Sequence, residues 1–427
     1  MYKFAHIADC HLGAQKYPEL KKLEIKAFKE CITQCIENEV DFIVIAGDLF
    51  HSNLPDMGIV KEAVGLLKEL QDNDIPVYVN YGSHDFSPNE TSIIDIICES
   101  GLMKKLFNPK IIRDQIGNTK IKLKFTIDKK TNAKLAGISG RKVGIEKQYY
   151  KLLDRKTLKE NDEFKIFVFH AWLEVLLPNF LSKGDALPLS CLPIGFNYYA
   201  GGHRHDSIYE ENLENYENIA YPGPLFAGYP KDLEKSARGI KRGFFIVEFD
   251  KTVQNHEFHE INVADYEFLH FKAKDKTSNQ LYSEILDKIE KIEVGNKIVI
   301  IKVDGKLSGG QTSDVNFYNI KKILIDKKAM HVSINHHGLL SKEFDAKMYK
   351  GGNNPIEIEK NLLEENTSNI DVLTTELRDE KGSEMAIQLI KIIKQNQKPN
   401  EKKSDYLNRI SLSALSVLGL EGQINDI

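Results

Sequence analysis

Five short stretches of this chain end in residues that can do chemistry. "YKFAHIADCH" ends with Asp9 and His11, "DFIVIAGD" with Asp48, and "IPVYVNYGSHD" with Ser83, His84 and Asp85. "FKIFVFH" ends with His170, and "FNYYAGGHRH" with His203 and His205. Mixed nitrogen and oxygen donors without a thiolate suit manganese, iron, zinc or magnesium alike. Two carboxylates (Asp9, Asp48), four imidazoles (His11, His170, His203, His205) and the Ser83 hydroxyl are more than one tetrahedral zinc accepts. They suit two adjacent cations held about 3.5 Å apart by a bridging carboxylate. Asp48, alone on its stretch, is the natural bridge. Residues i and i+2 of a strand share a face. That spacing pairs Asp9 with His11 and His203 with His205, and turns Cys10 and Arg204 away. Gly47, Gly82, Gly201 and Gly202 allow tight turns or close backbone approach.

The chain has 13 histidines, and any one of them alone is as readily a surface or core residue. All five stretches together, each after an apolar run, point to one site. His6, His256, His259, His270, His331, His336 and His337 lie outside the pattern and are given no role.

Those runs are rich in Val, Ile, Phe and Tyr and are expected to be buried strands. Helical spacing separates several of them, over residues 18–38, 57–72 and 91–106. Strand and helix in alternation argue for an α/β sheet, whose ligands collect beyond the carboxyl ends of the strands. "GFFIVEFD" and "HEFHEINV" are expected to form a hairpin that closes a first domain, residues 1–262. A small α+β domain is expected over 263–337, a polar linker over 338–382, and a helical region over 383–427.

The bulk numbers agree with an ordinary globular chain: 427 residues, 41% hydrophobic, 28% charged, net charge −4. No apolar run is long enough for a membrane span and no secretory signal is visible. Five scattered cysteines without a C-x-x-C pair argue against a disulfide framework and for a reducing cytoplasm. Any surface for a polyanion must be local. Residues 104–142 carry twelve Lys or Arg against two acids, so Lys120, Lys122, Lys124, Lys129 and Lys130 are candidates for phosphate contact. The clean alternation of "IKLKFTID" fits a solvated hairpin equally well.

The order D-x-H, G-D, G-N-H-[DE], H, G-H-x-H is that of the calcineurin-like metallophosphoesterases. Within them the chain resembles the Mre-eleven (SbcD) family of DNA-repair nucleases. "FAHIADCHLG", "DFIVIAGDLFHS", "YYAGGHRH", "YPGPL" and "RGFFIVEF" carry the likeness, over about residues 2–260. It implies a four-layer α/β/β/α sandwich with a smaller α+β capping domain for DNA and C-terminal partner-binding helices. It also implies two divalent ions, usually manganese. Asp9, His11, Asp48 and His205 would hold the first; Asp48, Ser83, His170 and His203 the second. His84 would assist the leaving oxygen instead of binding metal, and His51 would lie near the scissile phosphate. The implied activity is 3′-to-5′ exonuclease and single-strand endonuclease action at double-strand breaks. The implied partners are DNA, a second copy through helices near 57–72 and 91–106, and a Rad-fifty-like (SbcC-like) coiled-coil ATPase through 383–427. The likeness departs at Ser83, where the family has Asn, a better neutral ligand than a hydroxyl. Two rivals stand beside this reading: a dimetal phosphatase, and a catalytically weakened scaffold for the ATPase.

Overall fold

The computed structural model describes residues 1–87, 91–113, 117–141, 146–158, 163–177, 186–341, 379–398, 401 and 403–418. The chain divides into two compact units, residues 1–268 with 296–298, and residues 269–295 with 299–427.

The first unit begins with strands and crossover helices in turn: β1 (Tyr2–Ile7), α1 (Pro18–Glu37), β2 (Phe42–Ala46), α2 (Met57–Asp72), β3 (Val77–Asn80), α3 (Ile93–Glu99) and the short β4 (Lys104–Lys105). Pro18 at the first turn sets the start of α1, and Leu20, Leu23, Ala27, Phe28, Cys31, Ile32 and Cys35 form its buried stripe. Asp56 caps α2 by accepting from the backbone of Gly58 and Ile59. A hairpin of β5 (Lys110–Arg113) and β6 (Thr119–Lys122) follows, then β7 (Thr126–Ile127), β8 (Lys134–Ile138), α4 (Glu146–Leu152), β9 (Lys165–His170) and β10 (Tyr198–Gly202). The unit closes with β11 (Ile208–Leu213), β12 (Tyr216–Tyr221), α5 (Pro230–Ala237), β13 (Gly243–Phe249) and β14 (Val253–Glu260).

These strands make two six-stranded sheets, ordered β14-β13-β1-β2-β3-β4 and β11-β12-β10-β9-β8-β7. Phe4, Phe42, Val44 and Tyr78 of the first meet Leu135, Ile166, Val168, Tyr198 and Ala200 of the second in one core, so the sheets stack face to face. Phe167, Phe169 and Tyr199 alternate with those residues and pack on the outer side with Tyr150 of α4. All five residues of β2 are buried, as a parallel strand covered on both faces requires. The architecture is an α/β/β/α sandwich, as expected.

One expectation is corrected here. The helix expected over 91–106 ends at Glu99, because Gly101 takes a left-handed φ of 83° and the chain then enters β4. Lys130 pairs at 2.6 Å with Asp41, at the start of β2, whereas Asp48 follows the other end of that strand.

In the second unit, β15 (Tyr266–Lys272), β16 (Ile298–Lys306) and β17 (His331–Leu340) form a three-stranded sheet. Its core joins the strands to α6 (Ser278–Lys291) and α7 (Phe317–Asp326) through Leu281, Ile285, Ile289, Ile320 and Leu324. The segment expected as a linker falls largely outside the described residues. Beyond it, α8 (Asp379–Ile393) and α9 (Lys403–Val417) form a helical hairpin. Arg409 ties its turn by bonding Glu401, Gln395 and Asn396. Ile393, Leu407 and Leu412 of the pair are more than half exposed. Among the described residues no helix is long and apolar enough to cross a membrane.

Candidate metal centre

β1, β2, β9 and β10 lie side by side in two stacked sheets, and the chain leaves each of them at the same edge. The candidate residues collect there. Except for His170, the last residue of β9, they lie beyond the strands. β1 stops at Ile7 and β10 at Gly202, and Asp9, His11, Asp48 and His203 all have left-handed backbone, with φ of 53°, 47°, 53° and 82°. Non-glycine residues hold such conformations at a cost of about 1–3 kcal/mol each, kept only where the surroundings enforce them. Sharp turns, not strand alternation, therefore aim these four side chains. Asp9 and His11 do fall together, but His203 and His205 separate into different groups.

Two groups of possible ligands result, Asp9 with His11 and His205, and Asp48 with His170 and His203; within each, the ligand atoms lie within 4.8 Å of one another. Each group draws from both sheets. Asp48 stands between them, its Oδ2 3.2 Å from His170 Nε2 and 3.7 Å from His11 Nε2. His11 Nε2 and His205 Nε2 approach to 3.1 Å. Ser83 Oγ lies 3.4 Å from Asp48 Oδ2, beside the second group. A third group, His11, His51 and His84, has no carboxylate and is a poorer hold for a divalent cation.

The donors fit cations by a direct test. Nδ1 of His170 meets the carbonyl oxygen of Ala46 at 2.9 Å and so carries the proton there. Its buried Nε2 makes no hydrogen bond and points at the Asp48 carboxylate. His205 is set the same way, with Nδ1 donating to Asp232 Oδ2 at 2.8 Å and Nε2 turned to its group. An imidazole whose far nitrogen is fixed to a carbonyl or carboxylate is the usual form of a metal-binding histidine.

Burial opposes charge on His170, but the Asp48 carboxylate overrides it and raises the imidazole to about 10, so a cation bound there would displace a proton. Burial resists charge on Asp48, but the imidazoles of His170 and His11 overcome it and hold the carboxyl well below the usual range. Burial pushes Asp9 up to about 6 despite His170 and His205. Burial and the nearby His170 keep His203 neutral, down at about 3.

Close backbone packing makes this possible. A Cβ on Gly82 would lie 2.0 Å from Asp48 Oδ1, and one on Gly202 would lie 1.9 Å from the Ala46 oxygen. Asp85 braces the same loops, accepting from the backbone of Asp48 at 2.7 Å, Gly82 at 2.9 Å and Phe50 at 3.1 Å. His84 donates its backbone N–H to Asp48 Oδ1 at 2.8 Å and directs Nδ1 to the His51 carbonyl, also at 2.8 Å. His51 stacks on His84 with centroids 4.7 Å apart. A cleft of about 330 Å³ opens over these residues, lined also by Trp172, Tyr229, Lys231 and Lys235. Arg204 turns away and bonds the Leu176 carbonyl beneath Trp172, as expected, and Cys10 is buried.

Asp85, Asp232, Arg242 and Tyr229 were not anticipated. Arg242 holds the His205 carbonyl at 2.7 Å and reaches the Asp232 backbone oxygen. Asp85 was legible beside Ser83 and His84 but had no assigned task. The others sit in "GYPKDLEKSARGIKR", which ends no apolar strand.

This set of strand-end carboxylates and imidazoles on a stacked double sheet defines a class. Residues 2–207 match the calcineurin-like phosphoesterase family, and this part of the chain belongs to the calcineurin-like metallophosphoesterases. Among individual relatives, the chain is similar to the DNA double-strand break repair protein Mre11 of Archaeoglobus fulgidus, 30% identical over 283 residues, 62% of each chain. It is also similar to those of Methanococcus maripaludis, 25% identical over 313 residues (71% of this chain, 77% of the relative), and Methanocaldococcus jannaschii, 25% over 350 (76% and 89%). The match thus spans less than two thirds of the first relative's length.

Proposed function

We propose that the chain is a manganese-dependent phosphodiesterase that cuts DNA, a 3′-to-5′ exonuclease and single-strand endonuclease acting at double-strand breaks. The observation that carries this is Asp48 Oδ2 lying within 3.7 Å of imidazole nitrogens from both groups, as a bridging carboxylate must. Asp9, His11 and His205 would hold one ion and Asp48, His170 and His203 the other, with Asp48 reaching both and Ser83 beside the second. Such a pair, when bound, polarises a phosphoryl oxygen and acidifies a water. The protein's own part is placement. Asp232 and the Ala46 carbonyl fix the tautomers of His205 and His170. Asp85 fixes the Asp48 loop. His84 offers Nε2 to the leaving oxygen from the edge of the cleft, with His51 stacked behind it.

DNA as substrate is supported by the Mre11 relatives and by the exposed Lys122 and Lys124, with Lys120, on and just after β6. The capping role we assign to residues 263–337 rests on the same likeness. A homodimer through α2 and α3 is supported by Met57 and Ile96, exposed at 68% and 59%. Docking of a Rad-fifty-like coiled-coil ATPase on α8 and α9 is supported by their exposed Ile393, Leu407 and Leu412. We place the protein in the cytoplasm, on DNA. The test is to incubate the chain with end-labelled duplex and single-stranded DNA, and separately with a phosphomonoester, under manganese, magnesium or chelator. Manganese-dependent shortening of DNA is expected. Turnover of the monoester alone would make the protein a phosphatase.

A further inference from the structure

One polar aromatic side chain in the cleft is still unused. Tyr229 precedes α5, and its hydroxyl lies 3.0 Å from His84 Nε2. We propose that Tyr229 is a positioning residue for His84, holding the imidazole with Nε2 toward the cleft whether or not that nitrogen carries a proton; the proposal rests on the phosphodiesterase reading above.

The other end of the ring fixes the choice of tautomer. His84 Nδ1 is 2.8 Å from the His51 carbonyl oxygen, so that nitrogen carries hydrogen. Nε2 is left to gain or lose a proton as a leaving oxygen arrives. A hydroxyl serves both states, because it donates to a lone pair and accepts from an N–H. No carbonyl, carboxylate or ammonium can do both.

Tyr229 is itself held firmly. Its backbone N–H bonds Asp232 Oδ2 at 3.2 Å, the oxygen that also takes the His205 proton. Its ring stacks on His205, centroids 5.5 Å apart at 29°. Ring and hydroxyl therefore have separate tasks: the ring packs on His205, and the hydroxyl serves His84. Asp232 links the two by binding His205 and the start of α5 together.

Tyr229→Phe separates the tasks, since it keeps the ring. The expected result is a kcat on a DNA phosphodiester lowered about tenfold, as for one lost hydrogen bond to a working group, with KM changed by less than about twofold. Manganese stoichiometry stays as in the parent. The loss shrinks with bis(4-nitrophenyl) phosphate, whose leaving group needs no proton. In a His84→Ala background Tyr229→Phe adds nothing. A readout independent of turnover is the nitrogen-15 spectrum of His84 in the metal-free chain, assigned by its absence from His84→Ala. It should show an Nδ1–H tautomer with a hydrogen-bonded Nε2, and the Nε2 resonance should move to its unbonded position in Tyr229→Phe. Unchanged kcat and unchanged nitrogen shifts, or an equal loss in the His84→Ala background, would overturn the proposal. If the parent chain cleaves no diester, the phosphodiesterase reading fails, and the nitrogen spectrum still decides the Tyr229 contact.

Discussion

Gly82→Ala is the sharpest perturbation of the centre, because it adds one methyl group and changes no ligand. The new Cβ would lie 2.0 Å from Asp48 Oδ1 and 2.3 Å from the Asp48 nitrogen, against an ordinary contact of 3.4 Å or more. Something must move by about 1.4 Å, the difference between those two distances. Asp48 cannot yield cheaply. Its N–H is bound to Asp85 at 2.7 Å, its Oδ1 accepts from His84 at 2.8 Å, and its backbone is left-handed. Overpacking costs about 1–3 kcal/mol, and one disrupted hydrogen bond about 1 more, giving roughly 2–4 kcal/mol. For a domain of this size that lowers the melting temperature by roughly 5–15 °C. The functional cost should be larger, since a reacting group misplaced by 1 Å loses on the order of a hundredfold in rate. Calorimetric titration with manganese should show fewer than two ions bound, a thermal melt should show the moderate loss of stability, and diester turnover should drop at least about a hundredfold. Two ions bound at the parent's affinity with a rate within about threefold would refute the reasoning, because Asp48 would then tolerate displacement.

Asp85→Asn turns an amide N–H₂ toward at least one of three backbone donors and should destabilise the fold by about 2–3 kcal/mol in urea titration. Asp232→Ala frees His205 Nδ1 and should weaken one manganese site about tenfold to a hundredfold while sparing the other; equal weakening of both would dissolve the two-group partition. Ser83→Asn should tighten one manganese phase about fivefold, and no change in either phase would remove position 83 from the ligand set.

The ligand residues were legible because each follows an apolar run, and runs of this kind end at one edge of a sheet. Asp9, His11, Asp48, Ser83, His170, His203 and His205 all reach that edge. Their local geometry was not legible. Alternation along a strand applies only inside it, and Asp9, His11, Asp48 and His203 are aimed by turns with left-handed backbone. The bracing residues were harder still. Asp232 meets His205 across 27 positions and Tyr229 meets His84 across 145, and no local spacing encodes either contact. The helix expected to run to residue 106 failed at Ser100 and Gly101, where a turn signal outweighed the apolar content of "IIDIIC". The lysine cluster was visible as charge, but sequence distance concealed that Lys130 lies at the far end of β2 from Asp48.

Each group of ligands takes members from both sheets, and in polymer terms that makes any cation held there a cross-link. Asp9 and His203 meet across 194 positions of chain, and so do His11 and His205. Disulfides close loops of this kind in other proteins, but the five cysteines here are all free. A bound ion would tie the same loops reversibly, adding about 2.7 kcal/mol at a hundred times its dissociation constant. Chelation would then leave each sheet's own ladder intact while releasing the edge where the two are joined. Protease resistance and unfolding rate would follow the free-ion concentration around the protein, even in variants with no turnover to measure.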